Sequence, residues 1–510
     1  MTTVTCDVDA VIVGSGLSGL AMAAKLGELG MSYRVLTADG GVGGTWWRNT
    51  YPGVGVDVPS LIYSFSFEQN PDWSRMYPSG EECRRYAEDF ARKYGVTEHV
   101  QFNTVVKSAE FDETHSVWRT LIDGGQVLVS KYFFGAWGAF PEPKVPDIPG
   151  LNDFAGEVVH TARWPEGLEM SGRRVGVIGT GASAVQVVPS IAGMVKHLSV
   201  FQRTATWVLP RPDFDLPCGL RWAFRRIPGV QRLVRYMVAG PAEAILVVPI
   251  VRGGVQWWVR TLEHVGRWWI RRQVADPAVQ RKLTPHYGFG CKRPTFSNTY
   301  LPAYNRENVD LVTAPIERIT STGIRTTDGV EHECDTLVLA TGFSLYQAGK
   351  TPPLQLRGRS GTELGELWES KRYKAYHAVS IPDFPNLFLP GWGPYGLAGP
   401  SFCFMIEINI HHIVRCLEEA RRRGADEVEV RDEAHEAYFD YILEKGRRAP
   451  VLVDDCHSSN TYYLDPHGDA PAFRPLSSVT MWRLARTFPL SDYAFTSMPK
   501  LLPAASSATT

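Results

Sequence analysis

Two glycine-rich turns constrain the fold of this chain more than any other feature of its sequence. In DAVIVGSGLSGLAMAAKLGELG, an apolar run over residues 10–13 is followed by Gly14, Gly16 and Gly19 and then by a series of small residues. The pattern predicts a buried strand, a tight turn and a helix. In such a unit the first glycine permits the turn, the second lets the backbone approach a pyrophosphate, and the third lets the helix pack against the strand.

The second turn, in RRVGVIGTGASAVQVVPSIA, repeats this arrangement. One match of this kind is weak evidence, whereas two in one chain predict two dinucleotide sites. The alternative is two strand–turn–helix units that pack together and bind nothing. We therefore expect an α/β fold with two Rossmann-like dinucleotide-binding domains. The candidate binding residues at the second turn are Gly179, Thr180, Gly181, Ser183, Ala184 and Gln186.

The residue that ends the next strand indicates which nucleotide is bound, because an acid accepts from ribose hydroxyls and an arginine pairs with a 2′-phosphate. After the second turn this position is Arg203, followed by Thr204, which predicts NADPH. After the first turn it is Thr37, with Asp39 two residues later. Either Thr37 or Asp39 serves that ribose, or the backbone does. One site with an arginine and one without it suggests a flavoprotein that NADPH reduces.

The stretch FAGEVVHTARWP, over residues 154–165, lies between the two turns and resembles the F-x-G-x-x-x-H-x-x-x-W-P pattern of type I Baeyer–Villiger monooxygenases, class B flavin enzymes that use FAD and NADPH. Its matching residues are Phe154, Gly156, His160, Trp164 and Pro165. Physically, the glycine allows a turn at a domain joint, tryptophan and proline stiffen the chain, and the histidine is a switchable donor. We expect this histidine to be structural rather than an acid–base catalyst.

A second stretch, GGTWWRNTYPGVGVD over residues 43–57, is similar to the other pattern of the same family. The resemblance extends over roughly residues 8–490. It implies that FAD and NADPH are bound, that a flavin peroxide forms with O2, and that this peroxide attacks a ketone to give an ester or lactone. Two alternatives stay open, namely an N- or S-oxygenating flavin monooxygenase and an NADPH:acceptor flavin reductase that inserts no oxygen.

The resemblance also assigns roles to single residues. Arg293, in GCKRP, aligns with the catalytic arginine of the family, and Asp57 would orient it. Arginine suits a developing negative charge because it stays protonated near neutral pH. Lys292 would join Arg203 on the 2′-phosphate. Further contacts to FAD are expected from Gly44, Thr45, Trp46 and Tyr63.

We predict a first part of the FAD domain over residues 1–150, an NADPH domain over 151–212 and 291–340, a helical insertion over 213–290, a second FAD part over 341–500 and a disordered tail over 501–510. Residues 219–282 contain eleven Arg and one Lys against three acids. One helix there has Trp258, Leu262, Val265 and Trp269 on one side and Arg260, Arg267 and Arg271 on the other. We favour a helix that covers the substrate chamber and exposes its basic side to solvent. Peripheral contact with an anionic membrane is the alternative.

The remaining expectations come from composition. A formal net charge of −1 excludes nucleic-acid binding driven by bulk charge. The eight cysteines are scattered, with no CxxC pair and no zinc spacing, which predicts reduced thiols, a cytoplasmic location and no metal. No secretion signal is recognised. The aromatic-rich insertion favours a bulky, lipophilic ketone such as a polycyclic natural product of secondary metabolism. The oligomeric state is open, and Asn460–Thr461 stand where the family commonly has Ser-Trp.

Overall fold

The computed structural model describes residues 5–140, 142–247, 256–345, 350–397, 399, 401–449, 452, 456, 459, 461 and 463–497. In chain order the strands are β1 (Val8–Val13), β2 (Tyr33–Leu36), β3 (Val100–Gln101), β4 (Val106–Asp112), β5 (Val117–Ile122), β6 (Val127–Gly135), β7 (Glu157–His160), β8 (Arg174–Ile178), β9 (His197–Phe201), β10 (Val208–Leu209), β11 (Thr295–Phe296), β12 (Val309–Val312), β13 (Ile316–Ile319), β14 (Gly323–Thr326), β15 (Glu331–Glu333), β16 (Thr336–Leu339), β17 (Gln355–Arg357), β18 (Leu387–Phe388), β19 (Glu427–Val430) and β20 (Tyr493–Thr496).

The helices in the same residues are α1 (Leu17–Glu28), α2 (Thr45–Arg48), α3 (Gly80–Lys93), α4 (Ala182–Ile191), α5 (Cys218–Arg226), α6 (Val230–Ala242), α7 (Gln256–Gln273), α8 (Pro277–Leu283), α9 (Tyr300–Ala303), α10 (Leu364–Ser370), α11 (Phe402–Arg423), α12 (Asp432–Gly446) and α13 (Ser478–Thr487). Single 3₁₀ turns cover Ser60–Ile62, Thr97–His99, Asp123–Gly125, Leu151–Asp153, Thr161–Arg163 and Leu490–Asp492. A π-helical segment, Glu243–Val247, follows α6 directly.

The larger sheet has the strand order β17–β4–β5–β6–β1–β2–β3, with β18 beside β6. Strand β1 is parallel to β2 and β6, whereas β5 is antiparallel to β4 and β6. Helix α1 connects β1 to β2, as the first glycine unit predicts. Helices α3 and α11 pack against α1. The carboxyl end of β1 thus carries the first glycine turn.

The second sheet is fully parallel, in the order β12–β9–β8–β16–β7. Strand β8 leads into the second glycine turn, and α4 connects it to β9. A small antiparallel sheet of β13, β14 and β15 lies along the chain between β12 and β16. Both predicted Rossmann-like units are therefore present, each with its glycine turn after the first strand.

Close backbone approach explains why the turns need glycine. A Cβ atom on Gly19 would lie 1.9 Å from the carbonyl oxygen of Gly14, so any side chain would push α1 away from β1. Gly14 itself has φ +112°, and its Cβ would lie 2.4 Å from the Ala136 oxygen. Gly179 repeats this arrangement, with φ +117° and 2.4 Å to the Ala340 oxygen. The two turns are thus equivalent in backbone geometry.

The predicted insertion consists of α5, α6, the π-helical segment, α7 and α8. The strands that flank it, β10 and β11, pair in parallel, so the chain leaves and re-enters the domain at one place. The buried residues of α7 are Val259, Leu262, Gly266 and Ile270. The partly buried Trp258, Val265 and Trp269 flank this buried line. The predicted apolar side therefore packs inward. Leu262 is buried as expected, whereas the other three buried residues each follow a predicted one by one position.

One arginine of α7, Arg267, is only partly exposed, although the sequence placed it on the solvated side. Arg267 lies over the Trp207 ring, with its guanidinium carbon 5.2 Å from the ring centroid. It also forms an ion pair with Glu263 at 3.3 Å. The long aliphatic stem of arginine lets the charged group fold back onto an aromatic surface, which a helical projection cannot show. Arg260 and Arg271 are exposed, as predicted.

The cysteine expectation was wrong at one pair. Cys291 and Cys456 form a disulfide with a Cα–Cα distance of 5.1 Å, although 165 positions separate them. Scattered spacing along the chain carries no information about which thiols the fold brings together. The other six cysteines are free, and the cytoplasmic location drawn from the cysteine pattern stays a prediction.

Two further expectations concern the end of the chain and membranes. The predicted tail, 501–510, and Asn460 lie outside the described residues. The neighbouring Thr461 accepts a 3.2 Å hydrogen bond from the Tyr463 backbone N–H. Among the described helices, none combines the length and the apolar character that crossing a bilayer requires.

Candidate active site

A continuous cavity of about 2880 Å³ connects the two glycine turns. Its wall includes Gly14 and Gly16 of the first turn, Gly179 and Gly181 of the second, and Arg293. The predicted FAD site, NADPH site and catalytic arginine therefore open into one space. The tertiary structure brings together residues from both sheets and from the insertion.

Helix N-termini at both turns fit a pyrophosphate. Gly16 is the N-cap of α1 and Gly181 is the N-cap of α4, and in the described part of the chain no side chain caps either helix. A Cβ at Gly181 would meet no atom within 4 Å, so the space above that helix is open. Gly44 lies close to the first turn, because its Cβ would be 2.9 Å from the Gly16 Cα. Unpaired amide donors and a backbone without side chains suit a dinucleotide at each turn.

The residues predicted to serve the FAD ribose have different environments. Thr37 is buried, and its Oγ1 accepts a 3.0 Å hydrogen bond from the Ser15 hydroxyl. Asp39 accepts a 2.6 Å bond from Nε of Arg48 on α2. Both residues line the cavity. The Asp39 carboxylate is thus already paired with a cation, while the Thr37 hydroxyl is buried in the wall, and which group serves the ribose stays open.

At the second turn, the Thr180 hydroxyl donates a 2.8 Å hydrogen bond to the Thr204 carbonyl. This bond joins the glycine turn to the strand end that carries Arg203. The Arg203 side chain is exposed at the cavity wall and makes no ion pair with any described residue. A cation held there without a carboxylate partner suits a phosphate group.

Lys292 belongs to the same cationic region. Its Nζ lies 5.6 Å from the ring centroid of Tyr287, and the residue lines the cavity. Burial and the positive charge of Arg203 together lower the pKa of Lys292 to about 8. Arg203 and Lys292 repel each other, and a doubly charged anion bound between them would offset this repulsion.

Arg293 and Asp57 form a bidentate ion pair. Nε of Arg293 donates to Asp57 Oδ2 at 2.6 Å, and Nη2 donates to Oδ1 at 2.8 Å. Burial would raise the pKa of Asp57, but the charge and hydrogen bonds of Arg293 hold that pKa below its ordinary value. The carboxylate therefore stays ionised and fixes the plane of the guanidinium. The structure therefore brings Arg293 and Asp57 into direct contact, and their roles in catalysis stay predictions.

The loop that carries Asp57 is docked on α4. The Tyr51 hydroxyl donates to Gln186 Oε1 at 2.7 Å, and Gln186 Nε2 donates to the Gly55 carbonyl at 2.9 Å. Burial raises the pKa of Tyr51 to about 12, so it stays a donor. A Cβ at Gly53 would lie 2.6 Å from the Gln186 carbonyl, which shows how closely the loop approaches the helix. Gln186 thus joins the two dinucleotide units rather than facing only the predicted NADPH site.

Trp46 and Tyr63 contact each other at the cavity wall. The indole N–H of Trp46 donates to the Tyr63 hydroxyl at 2.9 Å, with the rings perpendicular and 5.6 Å apart. Thr45 begins the short helix α2 that presents Trp46. All three line the cavity, and their contacts to FAD stay a prediction.

The stretch over residues 154–165 is held in place by His160 and by close packing at Gly156. His160 is buried, its Nδ1 accepts from the Ala162 N–H at 3.1 Å, and its Nε2 lies 3.3 Å from Thr341 Oγ1. Burial lowers the pKa of His160, so the ring is neutral and fully engaged near pH 7. Gly156 is needed because a Cβ would lie 2.4 Å from the Asp335 carbonyl oxygen, not because of a left-handed turn. The glycine thus serves sheet packing between β7 and β16.

Sequence reasoning missed Arg211. Its guanidinium carbon lies 4.8 Å from the Tyr77 ring centroid, and it pairs with Asp213 at 3.0 Å. Its charge contributes, after that of Arg293, to lowering the pKa of Asp57. In the sequence it is the arginine of RPDFD, one of many arginines in the chain, and no local pattern distinguishes it from the others.

Comparisons with known proteins agree with this geometry. The family model described as pyridine nucleotide-disulphide oxidoreductase matches residues 11–216. A Baeyer-Villiger monooxygenase of Pseudomonas aeruginosa is 36% identical over 494 residues, which cover 96% of this chain and 91% of that protein. A solved structure of an oxidized steroid monooxygenase bound to NADP has a TM-score of 0.85 at 28% identity, over 96% of this chain and 100% of the other. The closed crystal structure of cyclohexanone monooxygenase has a TM-score of 0.84 at 29% identity, over 97% and 100%.

The similarity extends over nearly the whole chain. The chain belongs to the Baeyer–Villiger monooxygenase family and is an FAD- and NADPH-dependent monooxygenase.

Proposed function

We propose that this monooxygenase inserts one oxygen atom of O2 next to the carbonyl of a bulky, lipophilic ketone, with Arg293 as the catalytic cation and Asp57 as the residue that holds it. The bidentate pair between them is the observation that carries the proposal. Bound FAD supplies the two-electron redox chemistry and the activation of O2. The chain itself has to bind both dinucleotides, exclude water and stabilise charge.

Arg293 suits the stabilising role because its charge is permanent and its orientation is set in advance. Negative charge develops on the carbonyl oxygen of the ketone as oxygen is inserted. A guanidinium already fixed by a carboxylate needs no reorganisation at that moment, which is the main source of electrostatic catalysis. Asp57 takes one donor on Nε and one on Nη2 of the five that a guanidinium carries, and this bidentate contact fixes the plane of the group.

The dinucleotide roles follow the two turns. The first turn, with Gly14, Gly16 and Gly19, would hold the FAD pyrophosphate. The second would hold that of NADPH, with Arg203 and Lys292 on the 2′-phosphate. The cationic end of the cavity supports this assignment, since Arg203 has no carboxylate partner in the described part of the chain.

The apolar part of the cavity supports a lipophilic substrate. The insertion contributes Ile245, Leu262 and Val265 to the wall. Phe296, three residues after Arg293, also lines the cavity. Large apolar side chains around one fixed cation bind a hydrocarbon body and orient a single polar oxygen. The insertion thus acts as one wall of the substrate chamber.

We also propose that the domains divide as predicted. Strands of the larger sheet come from residues 8–135 and 355–388, and strands of the parallel sheet come from residues 157–339. This supports FAD-domain parts over 1–150 and 341–500 around an NADPH domain interrupted by the insertion.

The test is turnover of purified holoenzyme with NADPH, isotope-labelled O2 and a panel of cyclic ketones that increase in bulk. We expect labelled ester or lactone, with kcat/KM rising from small to polycyclic ketones. Labelled N- or S-oxide from amines or sulfides, with no ester from any ketone, would identify an N- or S-oxygenase instead. NADPH consumption without labelled product would identify a reductase.

A further inference from the structure

Helix α6 has an apolar stripe on its outer face. Leu233, Tyr236 and Met237 are 61%, 63% and 65% exposed. Their spacing places them on the same side of the helix. We call these three residues the α6 stripe. Isolated exposed apolar residues are common on proteins, but three large ones side by side on one helix indicate a contact surface.

The orientation of α6 is set by its inner face. Val234 and Val238 pack against the core under the larger sheet. Arg235 is buried and donates to the Leu61 carbonyl at 3.1 Å and to the Ser64 carbonyl at 2.7 Å. Rolling the helix to bury the stripe would break these bonds and leave a buried guanidinium without acceptors. The stripe therefore faces outward because the rest of the helix requires it.

Two large tryptophans are exposed on the other helices of the insertion. Trp222 on α5 is 58% exposed and Trp257 at the start of α7 is 69% exposed. The adjacent Trp258 donates its indole N–H to the Ile245 carbonyl at 2.8 Å, which ties the start of α7 to the π-helical segment after α6. Amphipathic tryptophans are favoured at the boundary between headgroups and acyl chains.

The charge next to the stripe is positive. Arg226 and Arg232 are exposed, and neither forms an ion pair with a described residue. The one acid in residues 218–247 is Glu243, and its Oε1 already accepts a 2.7 Å bond from the Ser478 N–H. The chain as a whole has a formal charge of −1, so this positive region is local.

The same helix continues into the wall of the cavity. Pro241 and Ala242, at the end of α6, and Ile245 and Val247, in the π-helical segment, all line it. An outer apolar surface and the inner wall of the chamber are thus formed by one continuous stretch of chain.

We propose that the α6 stripe, with Trp222, Trp257, Arg226 and Arg232, docks on the surface of a membrane that contains anionic phospholipid. Apolar side chains flanked by arginines are the arrangement with which an amphipathic helix lies in the interface of such a membrane. The docked chain would receive its lipophilic ketone from the bilayer, through the wall that residues 241–247 form. This second statement rests on the proposed function, whereas docking itself does not.

A second copy of the chain fits this surface less well. A symmetric dimer through the stripe would bring the exposed arginines of both copies together at one interface. The exposed carboxylate of Asp72 already pairs with Arg225 on α5, so the like charges of Arg226 and Arg232 in the two copies would repel each other. An anionic lipid surface instead pairs with every arginine.

The experiment is flotation of the full-length holoenzyme with vesicles of phosphatidylcholine alone or of phosphatidylcholine with phosphatidylglycerol. We expect binding to the anionic vesicles that weakens as salt is added. The double variant Leu233→Ser/Met237→Ser should lower the partition coefficient at least about tenfold, because it removes the apolar part of the contact. Arg226→Gln/Arg232→Gln should remove the preference for anionic lipid.

The matched control is Val127→Ser/Val330→Ser, which removes two exposed apolar residues far along the chain from α6 and should bind vesicles like the parent. Equal binding of the stripe variant and the parent, or binding of neither, would overturn docking. A parent dimer that the stripe variant dissociates, with no vesicle binding, would assign the stripe to a second copy and also overturn it. Vesicle binding is measured without turnover. A negative ketone assay would therefore overturn the proposed function without affecting the evidence for docking.

Discussion

The hydroxyl of Tyr51 donates a 2.7 Å hydrogen bond to Oε1 of Gln186, and this bond joins the loop that carries Asp57 to the helix of the second glycine turn. The two residues are 135 positions apart. Through Gln186 Nε2 and the Gly55 carbonyl, the loop is held at a second point. The position of the Asp57–Arg293 pair therefore depends on contact between the two dinucleotide units.

Gln186→Ala should lower the free energy of unfolding by about 1–3 kcal/mol, because it leaves the buried Tyr51 hydroxyl without its acceptor. It should also slow reduction of the flavin by NADPH while FAD stays bound. Tyr51→Phe removes the hydroxyl but leaves Gln186 bonded to the Gly55 carbonyl, so it should have a smaller effect on both. Thermal denaturation and stopped-flow reduction measure these effects. Strict additivity in the double variant would show that the two residues do not act together.

Arg293→Ala should retain FAD, since the glycine turns hold the dinucleotide, but should lower the rate of ester formation about 10²- to 10³-fold. NADPH oxidation should continue more slowly and yield hydrogen peroxide. Arg293→Lys should recover only part of the activity, because a point charge cannot reproduce the planar fork that Asp57 orients. Product analysis by mass spectrometry decides the matter, with the exposed Arg92→Ala on α3 as the control. Near-parent ester formation by Arg293→Ala would place the catalytic cation elsewhere.

Arg203→Ala with Lys292→Ala should raise KM for NADPH strongly and leave KM for NADH nearly unchanged. The reason is that only NADPH carries the 2′-phosphate that these cations would bind. Steady-state kinetics with both coenzymes measures the effect. Equal losses with NADPH and NADH would mean that the pair holds the domain rather than the phosphate.

The pH dependence of NADPH binding should follow Lys292. Burial and the Arg203 charge favour the neutral amine and lower the pKa to about 8, so the cation is present below that pH and lost above it. KM for NADPH should therefore be lowest below pH 8 and rise above it, while KM for NADH should not change with Lys292 ionisation. Lys292→Met should remove this rise. A parent KM for NADPH that stays constant through pH 8 would contradict the assignment.

Gly156→Ala should destabilise the protein by about 1–3 kcal/mol, because the new methyl group would overlap the Asp335 carbonyl oxygen. Gly219→Ala is the matched control, since its Cβ would meet no atom within 4 Å and its position in α5 favours alanine. Chemical denaturation of both variants gives the comparison. Equal stability of the two would show that β7 can move away from β16 without cost.

The sequence determined the features whose causes are local. Gly14 and Gly179 could be recognised because each stands directly between its strand and its helix, and the backbone of that turn excludes other residues. The two units, the α/β class and the position of the insertion follow from such contiguous patterns. Arg293 and Asp57 could be named only by resemblance, because no spacing connects residues 236 positions apart.

Only the tertiary structure decided which distant residues meet. The Cys291–Cys456 disulfide, the bonds of Gln186 to the Asp57 loop and the place of Arg211 beside Tyr77 all depend on how separate units pack. The reason why residue 156 must be glycine came from the tertiary structure as well, since the atom that excludes a side chain belongs to Asp335, which directly precedes β16. The outward direction of Leu233, Tyr236 and Met237 likewise follows from Arg235, whose acceptors lie in another part of the chain. Such contacts carry no local signal because packing free energy depends on distances in space rather than on separation in sequence.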